Sequence, residues 1–83
     1  MKTFHLEIMT PDKELYAGPA STLSVTAADG SLGVLAGHAP LMTILSPGQV
    51  IYHLESGEEV KIDNGGGFLF VDRDKASVLL SPS

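Results

Sequence analysis

The sequence predicts an all-β fold: a two-sheet β-sandwich or flattened barrel built from eight to ten short strands. Three observations carry this. Apolar residues alternate with polar ones at period two in several segments. Turn signals recur at the spacing of short hairpins. No window of about 11 residues or longer holds a helical apolar stripe.

In chain order, Phe4, Leu6 and Ile8 alternate with His5, Glu7 and Met9, the pattern of a strand with one buried face. Gly18-Pro19 is the next break. Leu23–Val25 alternates less cleanly and reads as a strand buried on both faces or near a sheet centre. Asp29-Gly30 marks a turn. Leu41–Leu45 reads as at most one helical turn, confined by Pro40 before it and Pro47 after it. Beyond Pro47-Gly48, Val50, Tyr52 and Leu54 alternate with Ile51, His53 and Glu55. Val60 and Ile62 then alternate with Glu59, Lys61 and Asp63. The turn around Ser56-Gly57 joins the two runs as a hairpin. Asn64–Gly67 reads as a wide or bulged turn feeding Phe68–Val71, a second segment of two-sided burial. Phe4, Phe68 and Phe70 are therefore assigned to the core. After the turn at Asp72–Lys75, Ala76, Val78 and Leu80 alternate with Ser77 and Leu79.

With 83 residues, the chain has room for one core, so 1–83 is read as a single domain. It has no cysteine, which removes disulfides and thiolate–zinc sites as supports. Ten acidic residues against five basic ones give a net charge of −5. Lys2, Lys13, Lys61, Arg73 and Lys75 are scattered, so no footprint for nucleic acid or anionic lipid is expected. No segment approaches the roughly 18 apolar residues of a membrane span. His5 and Glu7 interrupt the N-terminal apolar run, so it does not read as a signal peptide, and the expected compartment is the cytoplasm.

Chemistry is sparse. His5 and His53 sit opposite the larger apolar residues of their strands, and His38 sits in a glycine-rich turn. No two are at a metal-ligand spacing, so neither a metal nor a cofactor is expected. The acids Asp12, Glu14, Asp29, Glu58, Glu59, Asp72 and Asp74 lie in or beside turns and read as solvated, not as a catalytic pair. No GxSxG is present, and Asn64–Gly67 lacks the Lys-Ser/Thr and helix of a phosphate loop. No catalytic residue is assigned.

The remaining feature is Asp29–Gly48, where Gly30, Gly33, Gly37 and Gly48 punctuate small apolar residues. Of Val34, Leu35, Ala39, Leu41, Met42 and Ile44, about half are expected in the core by strand alternation. The others must meet solvent or a partner, with the adaptable Met42 a good candidate.

This stretch resembles the N-terminal domain of the epsilon subunit of the F-type ATP synthase. The family pattern G-x-x-G-(V/I)-x-x-G-H-A-P-L, followed by P-G, is met by Gly30, Gly33-Val34, Gly37-His38-Ala39-Pro40-Leu41 and Pro47-Gly48. Phe4–Pro11 with Leu15–Gly18, and Gly66-Gly67-Phe68 with Ala76–Leu79, resemble the family's opening and closing segments. The resemblance implies a β-sandwich of about ten strands and a non-catalytic place in the central stalk of a rotary ATP synthase. There the domain would bind the gamma subunit and the c-ring, coupling ion-driven rotation to ATP synthesis. It would lie on the cytoplasmic face of the bacterial inner membrane, held there only through the complex.

Position by position, the resemblance places Thr10, His38, Ala39, Pro40, Leu41, Met42 and Thr43 toward gamma. It places Asp29, Gly30, Ser31 and Leu32 in a loop toward the c-ring. The chain departs from the family at Ala27-Ala28, often Pro-Gly, and at Ser31, often Glu. The ring contact is then expected to rest on backbone and Leu32 more than on charge. The sequence given ends at Ser83, before the family's usual C-terminal helical hairpin, so neither self-inhibition by that hairpin nor ATP binding is expected. A reading from another class is a free-standing β-sandwich module for a carbohydrate or peptide, which would display an aromatic platform.

Overall fold

The computed structural model describes residues 2–81, which form nine strands and no helix. They are β1 (Phe4–Met9), β2 (Glu14–Ala20), β3 (Thr22–Ala27), β4 (Gly30–Val34), β5 (His38–Leu45), β6 (Gly48–His53), β7 (Glu59–Asn64), β8 (Gly67–Arg73) and β9 (Lys75–Leu80). The all-β expectation holds. The hydrogen-bonded order is β2-β1-β9-β8-β5-β3-β6-β7, with β4 on the other edge of β3. Every pairing is antiparallel except that of β1 with β9.

This path is not flat. β5 meets β3 at a single pair, Ala27↔Leu45, whereas β5 pairs along most of its length with β8. The Ser46 amide donates to the Thr26 carbonyl at 2.9 Å, so the chain turns there from β5 into β6. That corner separates a layer of β2, β1, β9, β8 and β5 from a layer of β4, β3, β6 and β7. Far along the path the layers meet again, where the Tyr16 and Tyr52 rings stack with centroids 4.8 Å apart.

Strand alternation fills the space between the layers. Phe4, Leu6, Ile8, Leu69, Val71, Ala76, Val78 and Leu80 come from one layer. Leu23, Val25, Val34, Val50 and Tyr52 come from the other, and all belong to one buried cluster. The hairpin around Ser56-Gly57 forms between β6 and β7 as the sequence predicts. Burying a side chain of this size stabilises by about 1.5–3 kcal/mol, so each of these positions matters in a small domain.

Four expectations are corrected. Gly18-Pro19 is not a break, since both residues lie within β2 and pair with Leu6 and His5; β2 is an edge strand, where a proline's missing donor is tolerated. Leu41–Leu45 is not a helical turn but the second half of β5, because pairing with β8 satisfies its backbone. Pro40 begins this run without needing a donor. Leu23–Val25 is buried on one face only, since Ser24 is exposed. Phe68–Val71 likewise buries Leu69 and Val71 while Phe68 and Phe70 face outward. The two phenylalanines are therefore not core residues.

The turn from β7 to β8 needs glycine for a steric reason. Gly66 has φ 105°, and a Cβ there would sit 2.7 Å from the Leu45 carbonyl oxygen at the corner. The Gly66 carbonyl also accepts from the Ser81 amide at 3.0 Å. Gly66→Ala is expected to cost about 2 kcal/mol or more, read as a lower urea midpoint.

Burial pushes the Tyr52 phenol above its ordinary value of 10.0, with Tyr16 and Glu58 adding to the shift. The unfolded chain then loses this proton first. The linked stability is full below about pH 10 and falls as pH rises through the folded value. Urea midpoints between about pH 8 and 11 should fall less steeply in Tyr52→Phe than in the parent chain.

Candidate functional site

The outer faces of the two layers differ in kind. On the four-stranded layer, Ser24, Gln49, Glu59, Lys61 and Asp63 stand exposed. Here His53 Nδ1 lies 2.7 Å from Thr22 Oγ1, and its Nε2 lies 3.1 Å from a Glu59 carboxylate oxygen. This histidine is engaged by neighbours on its own sheet. His5 pairs with Glu7 at 3.4 Å, and Lys75 reaches the same carboxylate at 3.6 Å. These are surface ion pairs of small energetic weight. Among the described residues, no group of three or more His, Asp or Glu side chains could hold a metal ion.

The five-stranded layer turns an apolar surface outward. Met42 is 69% exposed, Ile44 61%, Phe68 47%, Phe70 40% and Leu79 39%. The register brings them together: Met42 opposes Phe70, Ile44 opposes Phe68, and Phe68 opposes Leu79. Met9 continues the row beside Leu79. The cause is the strand period. With Leu69 and Val71 fixed inward, residues 68 and 70 must face out. Scattered exposed leucines need no explanation, but a contiguous apolar face of this size marks an interaction surface.

Two open grooves flank the face. One, of about 410 Å³, is lined by Met9, Thr10, Pro11, Phe68 and Leu79 among others. The other, of about 510 Å³, lies where the β3–β4 turn approaches β5, lined by Ala28, Asp29, Met42, Thr43, Ile44 and Phe68. Phe68 is a wall of both.

The sequence-assigned positions divide on this frame. Met42 and Thr43 line one groove beside Phe68 and Thr10 lines the other, although Thr10 is distant from them in sequence. Thr43 opposes the buried Leu69, so its side chain turns to the inner side of the strand. Ala39 and Pro40 are exposed early in β5, while Leu41 is half-buried against the core. His38 is not in the glycine turn but is the first residue of β5, paired with Arg73. That is the end of the strand away from Ile44 and Phe68. Its amide closes the preceding turn on the Leu35 carbonyl at 3.2 Å, and its Nδ1 lies 2.7 Å from the Ala39 carbonyl oxygen.

The expected loop Asp29–Leu32 is a hairpin with a two-residue tip, Ala28-Asp29, because Ala27 pairs with Gly30. Gly30, Ser31 and Leu32 belong to β4. Leu32 packs partly against the core, which leaves Asp29 and Ser31 as the exposed side chains. The tip thus shares one groove with two of the assigned gamma-facing residues, Met42 and Thr43, and Asp29 is its one charged member. Sequence reasoning left Ile44 among the residues that could meet a partner and put Leu79 on the outer side of its strand, but it missed Phe68 and Phe70. The available signal was the parity of Phe68 and Phe70 against Leu69 and Val71.

Together these features define a small β-sandwich domain that presents one apolar sheet face. Residues 3–81 match the family described as the ATP synthase, Delta/Epsilon chain, beta-sandwich domain. The chain is 43% identical over 79 residues to the ATP synthase epsilon chain of Chromohalobacter salexigens, covering 95% of this chain and 56% of that one. The chain belongs to this family.

Two solved structures share the fold. A chain of the Euglena gracilis mitochondrial ATP synthase superposes with a TM-score of 0.89 at 24% identity, covering 94% of this chain and 50% of that one. A chain from the central stalk and c-ring of the Tetrahymena thermophila mitochondrial ATP synthase gives 0.78 at 17% identity, covering 94% and 63%. The chain spans roughly half to two-thirds of the length of these proteins.

The inside-outside assignment of β8 is directly testable. Leu69→Ala should cost about 3 kcal/mol, whereas Phe70→Ser should stay within about 1 kcal/mol of the parent. Equal losses in urea denaturation would place Phe70 in the core.

Proposed function

We propose that this chain is the β-sandwich portion of a central-stalk subunit of a rotary F-type ATP synthase. In this reading it grips the gamma subunit and rests on the c-ring. It transmits rotation between ion-driven ring and catalytic head, and takes no part in bond chemistry itself. Its place is the cytoplasmic face of the bacterial inner membrane, reached only through the complex. No helix among the described residues is long and apolar enough to cross a membrane.

The observation that carries the reading is the apolar outer face of β5, β8 and β9 in a chain of this family. Met42, Ile44, Phe68 and Phe70 offer a partner a flat surface free of charge at its centre. Thr10, Ala39 and Pro40 flank it on the gamma-facing side, with Leu41 and Thr43 supporting the strand from beneath. His38 is a peripheral contact, because it stands at the far end of β5. Asp29 and Ser31, with Gly30 and Leu32 shaping the hairpin behind them, form the ring-facing tip. An acidic tip suits basic groups on a ring's polar loops.

The exposed Phe68–Phe70 pair is the one observation that favours a free-standing carbohydrate or peptide module. Met42, Ile44 and Leu79 around it are apolar, and only the Ser77 hydroxyl opposite Phe70 and Thr10 beside Phe68 could hydrogen-bond a sugar, which favours an apolar protein surface instead.

The test is binding to the gamma subunit. The parent chain should form a complex that survives gel filtration. Met42→Asp should weaken it by about tenfold or more, since it buries an unpaired charge at the centre of the face. His38→Asp should weaken it less. Asp29→Lys should leave gamma binding intact while loosening attachment of the head to the ring. A chain that neither binds gamma nor is needed for that attachment would overturn the reading.

A further inference from the structure

We propose that, when no partner covers it, the outer face of β5, β8 and β9 pairs with the same face of a second copy of this chain. Area, shape and charge favour this pairing whether or not the chain serves in a stalk. Met42, Ile44, Phe68, Phe70 and Leu79 together leave on the order of 500 Å² uncovered, near the upper end for the largest apolar patch of a monomer. Two such faces together would bury on the order of 1,000 Å², the lower bound for a specific interface.

The shape permits it. The side chains stand in adjacent rows of a pleated sheet, Ile44–Phe68–Leu79 and Met42–Phe70. Two such surfaces pack about 10 Å apart with their strands nearly aligned, as the layers of a sandwich do. A two-fold axis through the face makes one patch serve both copies.

Charge sets how strong the pair is. Within the patch there is no ionisable side chain. Beside it, Glu7 is already engaged by Lys75 at 3.6 Å and by His5 at 3.4 Å. Each copy carries a net charge of −5, and Asp29 rims the groove next to Ile44. The copies therefore repel at long range and attract at contact. The pair is weak and is strengthened by added salt, the opposite of an interface built from ion pairs. A stalk partner seated on this face would compete with the second copy for it.

Sedimentation equilibrium of the 83-residue chain tests this without any partner present. The mass should rise from 8.7 kDa toward twice that value, with half-association near about 0.1 mM. Raising the salt from about 0.05 to 0.5 M should shift half-association to lower concentration. Met42→Asp and Phe70→Glu should each weaken association tenfold or more. Leu35→Glu, at an exposed leucine in the turn before β5, should associate like the parent. Circular dichroism checks that each variant is folded, and Met42, the most exposed of the set, gives the reading if Phe70→Glu is not. A chain that stays monomeric at about 1 mM overturns the proposal. So does association that survives both face variants, which would point to pairing at the β2, β4 or β7 edge.

Discussion

The fold depends on a corner. At Leu45–Ser46 one chain stops pairing with β8 and starts pairing with β3, and Ala27↔Leu45 is the sole pair that bridges the two layers there. Two close approaches make the bend possible. Gly66 passes where a Cβ would meet the Leu45 carbonyl, and Gly48 passes where a Cβ would meet Thr26 Oγ1 at 2.7 Å. Once the path is bent, period-two alternation does the rest. One face of each strand turns toward the space between the layers, fully sealed in β1, β3, β8 and β9 and half-buried in β7, and the other is left for water or for a partner.

That division explains why the surface has two characters. The four-stranded layer ends in β7, an edge strand with Glu59, Lys61 and Asp63 outward, which discourages further pairing. In the five-stranded layer, β1 likewise carries His5 and Glu7 outward, but β5, β8 and β9 place the large apolar side chains of Met42, Ile44, Phe68, Phe70 and Leu79 there. Nothing in the stability of the isolated domain asks for Met42, Ile44 or Phe70 outside. Their placement is intelligible as a docking surface, and it lies against the acidic hairpin tip. Contact at the tip and contact at the face therefore involve neighbouring groups, with Phe68 common to both grooves.

Much of this was legible in the sequence. Alternation in Phe4–Met9, Val50–His53 and Ala76–Leu80 identified strands with the correct inward faces. The signals at Asp29-Gly30, Ser56-Gly57 and Asn64–Gly67 marked turns that the structure contains, whereas Gly18-Pro19 lies inside β2. What failed did so for physical reasons. In Phe68–Val71 every residue is apolar, so period two is present but carries no contrast, and the outward pair looked buried. In Leu41–Leu45 the two prolines suggested a short element, because a lone segment gives no sign of its long partner β8. Leu32 looked like loop because the two-residue turn at Ala28-Asp29 is set by register, not by composition. The residues carried by family likeness clustered only in part: Thr10 and Met42 stand on either side of Phe68, Thr43 turns inward opposite Leu69, and His38 stands apart.

The central claim is that the outer face of the five-stranded layer is where the stalk partner sits. Chemical-shift mapping of the isotopically labelled chain, titrated with the gamma subunit, tests it most directly. The account expects the largest changes at the amides of Met42–Ile44, Phe68–Phe70 and Leu79, with β7 unmoved. Changes gathered on β6 and β7 instead, with those residues unaffected in a formed complex, would contradict it.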